Sequence, residues 1–261
     1  MTMYVGLDVH SKQSVFVIEN ETGTVVARGE VPTSAEGMRR LRDEARLPAG
    51  TRVALETGTT AFFAARALAR VGLTPVVVDA HEVRIKAHRP RQKSDRRDAF
   101  ELCEGIRRGS YRSIVHVPPL EISRLRESLS RRRHFVRLAS AEINAVKRLL
   151  RSEGLGTLAR SLTTAVGWDK LEQSLKPHDP MLCFYIRQHR ALWQLAREQI
   201  KQLEQLLEQQ QLPFSEQLAR LKTVPSVGPI VALTAVAVFS DVRRFATAKP
   251  AASYAGPGAL D

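Results

Sequence analysis

Four acidic residues stand where chemistry would need them. Asp8 closes an apolar run, Tyr4–Asp8, and Glu56 follows another, Arg52–Leu55. Asp95 and Asp98, three residues apart, open a helical pattern that runs to Arg108. Residues three apart on a helix share a face, and in an open sheet active sites collect where strand ends gather at one edge. A helix packed across that edge brings four carboxylates together. Such a cluster repels itself unless cations hold it, and hard carboxylate oxygens suit Mg²⁺ or Mn²⁺. Two ions so held can flank a phosphate and stabilise both the attacking and the leaving oxygen of a displacement. Each acid alone also has a plainer reading, as a turn former at a strand end or, for Asp95, as a helix N-cap. Context tips the balance. In Lys93-Ser94-Asp95-Arg96-Arg97-Asp98 the two acids sit among cations that would grip phosphate.

The charge of the whole chain supports that setting. Of 261 residues 43% are hydrophobic and 26% charged, with Lys+Arg 40 against Asp+Glu 27 and a formal net charge of +13. Residues 84–160 hold 20 Lys/Arg and 8 Asp/Glu, so nearly all the excess lies in one band. A concentrated basic band fits a surface that faces a polyanion, and nucleic acid is the expected partner. Lys93, Arg96, Arg97 and the run Arg131-Arg132-Arg133 are the candidate phosphate contacts. Two cysteines, Cys103 and Cys183, exclude a disulfide scaffold and lack the spacing of a zinc site. No apolar run approaches the roughly 20 residues of a membrane span, and the start MTMYVGLDVH has no signal-peptide pattern. A reducing, cytoplasmic compartment and no membrane are expected.

The elements that must position these residues follow from periodicity. Tyr4–Asp8, Ser14–Ile18 and Val25–Val31 read as strands, the last two joined by a turn at Glu21-Thr22-Gly23. Ser34 caps a helix over Gly37–Leu47, Arg52–Leu55 is a fourth strand, Phe62–Val71 a helix closed by Gly72, and Pro75–Val78 a fifth strand. Three antiparallel strands followed by alternating helix and strand make an α/β domain with a mixed sheet. From Arg84 the chain starts as a loop before the helix at Asp95. Leu120–Glu153 and Leu182–Gln210 read as long helices, the second with Leu192, Leu195, Leu203, Leu206 and Leu207 on its apolar side. With the Gly- and Pro-containing stretch Gly154–Pro180 between them, they form an antiparallel hairpin or a dimerising coiled coil. After Pro213 an apolar helix follows Val224-Pro225-Ser226-Val227-Gly228-Pro229, which reads equally as a helix–hairpin–helix turn able to hold a phosphate and as a simple helix start. Trp168 and Trp193 read as core or interface anchors, Cys103 as a small buried residue, and His10 and Lys12 as solvated residues at the end of the first strand.

Together these stretches resemble the IS110-family transposases. The resemblance is carried by Val5-Gly6-Leu7-Asp8-Val9-His10-Ser11-Lys12, by Ala54-Leu55-Glu56-Thr57-Gly58 and by Lys93-Ser94-Asp95-Arg96-Arg97-Asp98-Ala99, with the helical middle and LKTVPSVGPIVALTAVA (residues 221–237) also similar. It implies a RuvC-like, RNase H-fold domain over residues 1–118, a helical coiled-coil region over 119–212, and a small, mainly α C-terminal transposase domain over 213–261 that reads as incomplete. It further implies that Asp8, Glu56, Asp95 and Asp98 ligate two Mg²⁺ or Mn²⁺ ions, and that the protein cleaves and exchanges DNA strands in the bacterial nucleoid. In characterised members a structured RNA guides the reaction, and recombining paired ends calls for a dimer or tetramer. The family pairs this site with a nucleophilic serine downstream of a segment similar to Ala252-Ser253-Tyr254-Ala255-Gly256. Ser253 precedes that glycine and reads as structural, and Ser226 belongs to the Val-Pro-Ser-Val-Gly turn. The chain is therefore expected to be a truncated copy.

Other classes fit the sequence less well. A Holliday-junction-type nuclease would use the four acids alone and leave free ends, but it would not explain the long helical insertion. An actin-like kinase or ATPase also opens with an apolar strand ending in Gly-x-Asp, yet Val9-His10-Ser11 stands where its small glycines belong. A nucleic-acid-binding remnant without catalysis would keep the salt dependence of binding and lose metal-dependent cleavage.

Overall fold

Strict alternation along the first strand divides its side chains between two helical layers. The structure, a computed structural model, describes residues 2–86, 94–175 and 179–256. In β1 (Met3–Val9), Val5 and Leu7 face one side of the sheet, and Tyr4, Gly6 and Asp8 face the other. β1 lies antiparallel to β2 (Gln13–Asn20), with Leu7 opposite Phe16 and Asp8 opposite Val15, and β2 is antiparallel to β3 (Val25–Pro32). The chain then crosses through α1 (Ala35–Glu44) to β4 (Arg52–Glu56), parallel to β1, and through α2 (Ala61–Arg70) to β5 (Thr74–Val78), parallel to β4. The sheet order is β3-β2-β1-β4-β5, the mixed sheet that the sequence predicts.

Both faces are covered. Val5, Leu7, Ile18, Val31, Val53, Leu55 and Val77 pack against Met38 and Leu41 of α1 and the alanines and Leu68 of α2. On the opposite face lie α3 (Ala80–Lys86) and α4 (Asp95–Arg107), whose Ala99, Leu102, Cys103 and Ile106 meet Val15, Val17, Ala54, Val76 and Val78. Burying Leu102 and Ile106 is worth about 1.5–3 kcal/mol each. The approach of α4 to β1 is set by Gly6. A Cβ there would stand 1.9 Å from the Ala99 carbonyl oxygen and 2.4 Å from the Cys103 amide nitrogen, both backbone atoms. The Cys103 thiol donates to the Tyr4 carbonyl across the same seam at 3.1 Å, and burial pushes that thiol up to about 12. At the far end of α4, Arg107 pairs with the buried Glu19 of β2 at 2.7 Å.

The segment from Arg84, expected to begin as a loop, instead continues α3 to Lys86; residues 87–93 lie outside the described residues. None of the α3 side chains is buried, so no apolar period marked it. What ties α3 down is polar: Glu82 pairs with Lys86 and accepts the backbone amides of Arg112 and Ser113, at 2.9 Å and 2.6 Å. The segment beyond α4 thereby returns along β5, where the Val115 amide donates to the Val77 carbonyl at 2.8 Å.

In the second unit, Pro119–Asp261, α5 (Leu120–Ser152) runs antiparallel to α7 (Pro180–Gln210). Arg132 meets Glu204 and, further along α5, Glu142 meets His189. The stretch expected only as a connection holds a further helix, α6 (Ala165–Leu175). Trp168 of α6 is fully buried against Trp193 of α7, ring centroids 5.5 Å apart, so both tryptophans are core anchors as expected. The leucine side of α7 differs from expectation. Ile186, Trp193, Ala196, Ile200 and Leu207 are buried, whereas Leu192, Leu195 and Leu206 are exposed. At the base of the hairpin, α8 (Ser215–Leu221) and α9 (Pro229–Phe239) form a second core with Ile122, Leu125 and Leu207. There Arg126 of α5 donates to the carbonyls of Ala237 and Val238 at 2.7 and 3.0 Å, satisfying the C-terminal end of α9. α10 (Ala248–Ala255) follows, and Arg244 stacks on Phe245 and on Tyr254 of that helix.

Two outcomes follow for the first unit. Gly6→Ala must push α4 off β1 and should cost at least about 1–3 kcal/mol in urea denaturation. The Glu82 carboxyl is held down to about 2, chiefly by Lys86 and further by the two amides, against an opposing effect of burial. A depressed pKa gives stability that is present above the ordinary carboxylate value and lost as pH falls toward about 2. Glu82→Gln should therefore melt below the wild type at pH 6 and converge with it near pH 2.

Candidate metal centre

The strand alternation that sends Gly6 toward α4 sends Asp8 there as well, and Ala54 and Glu56 of β4 share that parity. Because β1 and β4 are parallel, and Gly6 pairs with Ala54, Asp8 and Glu56 two residues on emerge at the same edge. The N-terminus of α4 arrives at this edge carrying Asp95 and Asp98 in its first turn. Acids are favoured at that end of a helix. Ser94 occupies the N-cap position without a side-chain cap bond, so Asp95 is the first helical residue and does not cap the helix.

Asp8 is largely enclosed, at 17% side-chain exposure against 57% for Asp95. His10 Nε2 lies 3.0 Å from Asp8 Oδ2 and 3.4 Å from Asp95 Oδ1, so the imidazole bridges the two acids. His10 approaches Asp8 without hydrogen-bond alignment, which leaves Oδ2 buried with no hydrogen-bond donor among the described residues. Donor atoms of Asp8, His10 and Asp95 all lie within 4.8 Å of one another. At that spacing the trio includes neither Glu56 nor Asp98. Asp98 is near enough to act on Asp8 through its charge, and the half-buried Glu56 acts on Tyr111, whose hydroxyl is raised mainly by burial.

These surroundings push the Asp8 carboxyl above its ordinary value. Burial is the largest cause, His10 opposes it, and the like charges of Asp98 and Asp95 add to it. The donor set is hard: carboxylate oxygens, one of them buried and without a hydrogen-bond donor, with an imidazole nitrogen alongside. A divalent cation fits this chemistry, since it would supply the counter-charge that Asp8 lacks.

The basic residues expected around the acids divide three ways. Lys93 lies outside the described residues. Arg96 is exposed beside Asp95, while Arg97 pairs with Glu101 at 3.0 Å. In α5, Arg132 gives both Nε and Nη2 to Glu204 Oε1, at 2.9 and 2.7 Å, so it ties the hairpin together; Arg131 and Arg133 are exposed on different sides of the helix. His10, expected as a solvated residue, is the member of the site that sequence reasoning set aside. Its signal was the Asp-x-His spacing, which puts both side chains on one side of the strand end.

A five-stranded sheet in this order, closed by an acidic helix at the ends of β1 and β4, defines an RNase H-like domain of the RuvC type. Residues 5–153 match the family model of the IS110-type DEDD transposases, and residues 218–257 match a second model, that of the IS116/IS110/IS902 transposase family. The chain belongs to the IS110 family of transposases, enzymes that act on DNA. No curated protein matches it. Among the described residues no helix is long and apolar enough to cross a membrane.

A raised carboxyl pKa stabilises the fold below the ordinary carboxylate value, and that contribution is lost as pH rises through the elevated one. In the presence of EDTA, Asp8→Asn should therefore melt above the wild type at pH 7.5 and close to it at pH 3.

Proposed function

We propose that Asp8, Glu56, Asp95 and Asp98 hold two divalent cations, Mg²⁺ or Mn²⁺, and that the protein uses this edge to cleave and exchange the strands of an insertion sequence. The observation that carries the reading is the Asp8 carboxylate: enclosed, raised by its neighbours, and offering a buried oxygen with no hydrogen-bond donor among the described residues. When bound, such ions polarise a scissile phosphate and stabilise charge on the entering and departing oxygens.

The chain's own residues supply the rest. Asp8 and Glu56 ride on adjacent parallel strands, so the sheet fixes their separation. Asp95 and Asp98 ride on α4, and Gly6 fixes the height of that helix above the sheet. His10 orients Asp8 and Asp95 toward each other and offers an imidazole beside the reacting edge. Arg96 stands next to Asp95, where it can hold the phosphate backbone of a bound strand. A structured guide RNA and a dimer or tetramer complete the reading. Both are supported by the family resemblance, and the second also by the need to hold paired ends together. Ser226, at φ 67 in the turn before α9, and Ser253, within α10, supply no nucleophile in this scheme.

The test is cleavage of a plasmid carrying the element's ends by the full chain, with Mg²⁺, Mn²⁺ or EDTA. Metal-ion stabilisation of several kcal/mol corresponds to a loss of about a hundredfold or more in Asp8→Asn and Asp98→Asn. Millimolar Mn²⁺ should also raise the melting temperature of the wild type at pH 7.5 and leave that of Asp8→Asn unmoved. Unchanged cleavage in both variants, or cleavage that persists in EDTA, would remove the assignment.

A further inference from the structure

The second unit carries a charged surface that has no part in the acidic edge. On an α-helix successive residues turn by about 100°. Counted from Arg133 on α5, Arg137, Arg148 and Arg151 all fall within an arc of about 60°, and Lys147 borders it on one side. The four arginines are exposed, and none of the five cations has an ion-pair partner among the described residues. That separates them from Arg132, which is committed to Glu204, and from Arg126, which closes the end of α9. The one acid between residues 133 and 151 is Glu142. It lies on the opposite side of the helix from Arg133 and is engaged by His189 at 2.6 Å.

A solvated helix usually balances its signs along each face. This stripe does not: over the 19 residues from Arg133 to Arg151, about 27 Å of helix, it carries cations and no acid. Exposed Asn144 stands between its two halves and adds a short amide donor, while Ser140 beside it gives its hydroxyl to the Val136 carbonyl. We propose that this face of α5 is a docking surface for the phosphate backbone of duplex DNA. Its chemistry selects the occupant. Clustered cations with small polar residues match phosphate oxygens, which carry affinity without reading sequence. Single strands and unpaired RNA loops are gripped by exposed aromatic rings, and the stripe contains none. Of the run Arg131-Arg132-Arg133, Arg133 alone lies on the stripe.

The proposal rests on the family's action on DNA and not on the metal reading, and EDTA in the assay keeps the two apart. Binding of the full chain to a fluorescently labelled 30-base-pair duplex of arbitrary sequence is measured by anisotropy between 50 and 200 mM KCl. Each lost phosphate contact lowers the slope of log K against log[salt] by about 0.9, so Arg133→Ala/Arg137→Ala/Arg148→Ala/Arg151→Ala should lower it by about 3–4. A control that removes four exposed charges elsewhere, Arg39→Ala/Arg40→Ala/Arg70→Ala/Arg187→Ala, should leave the slope near the wild-type value. Matching circular dichroism spectra establish that both variants are folded. If the stripe variant misfolds, the single charge reversals Arg137→Glu and Arg148→Glu replace it, each with a slope loss of at least about 1 expected. An unchanged slope in the stripe variants, or an equal loss in the control, overturns the surface. A loss seen only with an RNA duplex of the same length overturns DNA as its occupant.

Discussion

The contact on which the first unit depends is the one between two backbones at Gly6. Helix α4 can lie against β1 only because no side chain stands between them, and Ala99 and Cys103 occupy the space a Cβ would need. Everything at the acidic edge inherits its position from that seam. One residue is small so that another, two positions on, can reach across: Gly6 and Asp8 share a face of the strand, and the helix that Gly6 admits carries Asp95 and Asp98. The Glu19–Arg107 pair holds the other end of the same helix, so α4 is anchored along its length while its N-terminal turn stays half-open to solvent.

The electrostatics at that turn are unfavourable to the fold and useful to the chemistry. Like charges converge on an enclosed carboxylate, and its ordinary compensation is incomplete: His10 approaches without hydrogen-bond alignment. A protein selected only for stability would place an amide at Asp8. The raised pKa is the thermodynamic sign of a site arranged for a positively charged occupant, in the way that perturbed groups gather at functional positions.

Much of this arrangement was legible in the sequence, and for identifiable reasons. The five strands announce themselves through alternation and turn residues, and the acids through their place at strand and helix ends. Helix α3 has no fully buried residue to give it an apolar period; Val83 is only partly covered, and the helix's anchor is Glu82 bonding to amides some 30 residues away, a contact with no local signature. Helix α6 was hidden by the surrounding glycines and prolines, although Trp168, Leu171 and Leu175 carry the helical spacing. In α7 the leucines suggested one apolar side, but two apolar seams interleave, and only the partner helix decides which is buried. Arg132 and Glu204 are 72 positions apart, so a charge that reads as free in the sequence is spent in the fold. The basic stripe on α5 becomes apparent only after such pairs are subtracted.

The hairpin of the second unit carries two separate cores, one around Trp168 and Trp193 toward its tip and one around Leu125, Leu207 and Leu233 at its base. Helix α5 alone is about 50 Å long. Such an element acts as a lever: a tilt of about 5° at the base core displaces the far end by ~4 Å, more than a hydrogen-bond length. An adjustment in the packing of α8 and α9 that tilted the hairpin would therefore be enlarged at its far end. The same length that gives the stripe its reach makes small changes at the base of the hairpin mechanically visible far from where they occur.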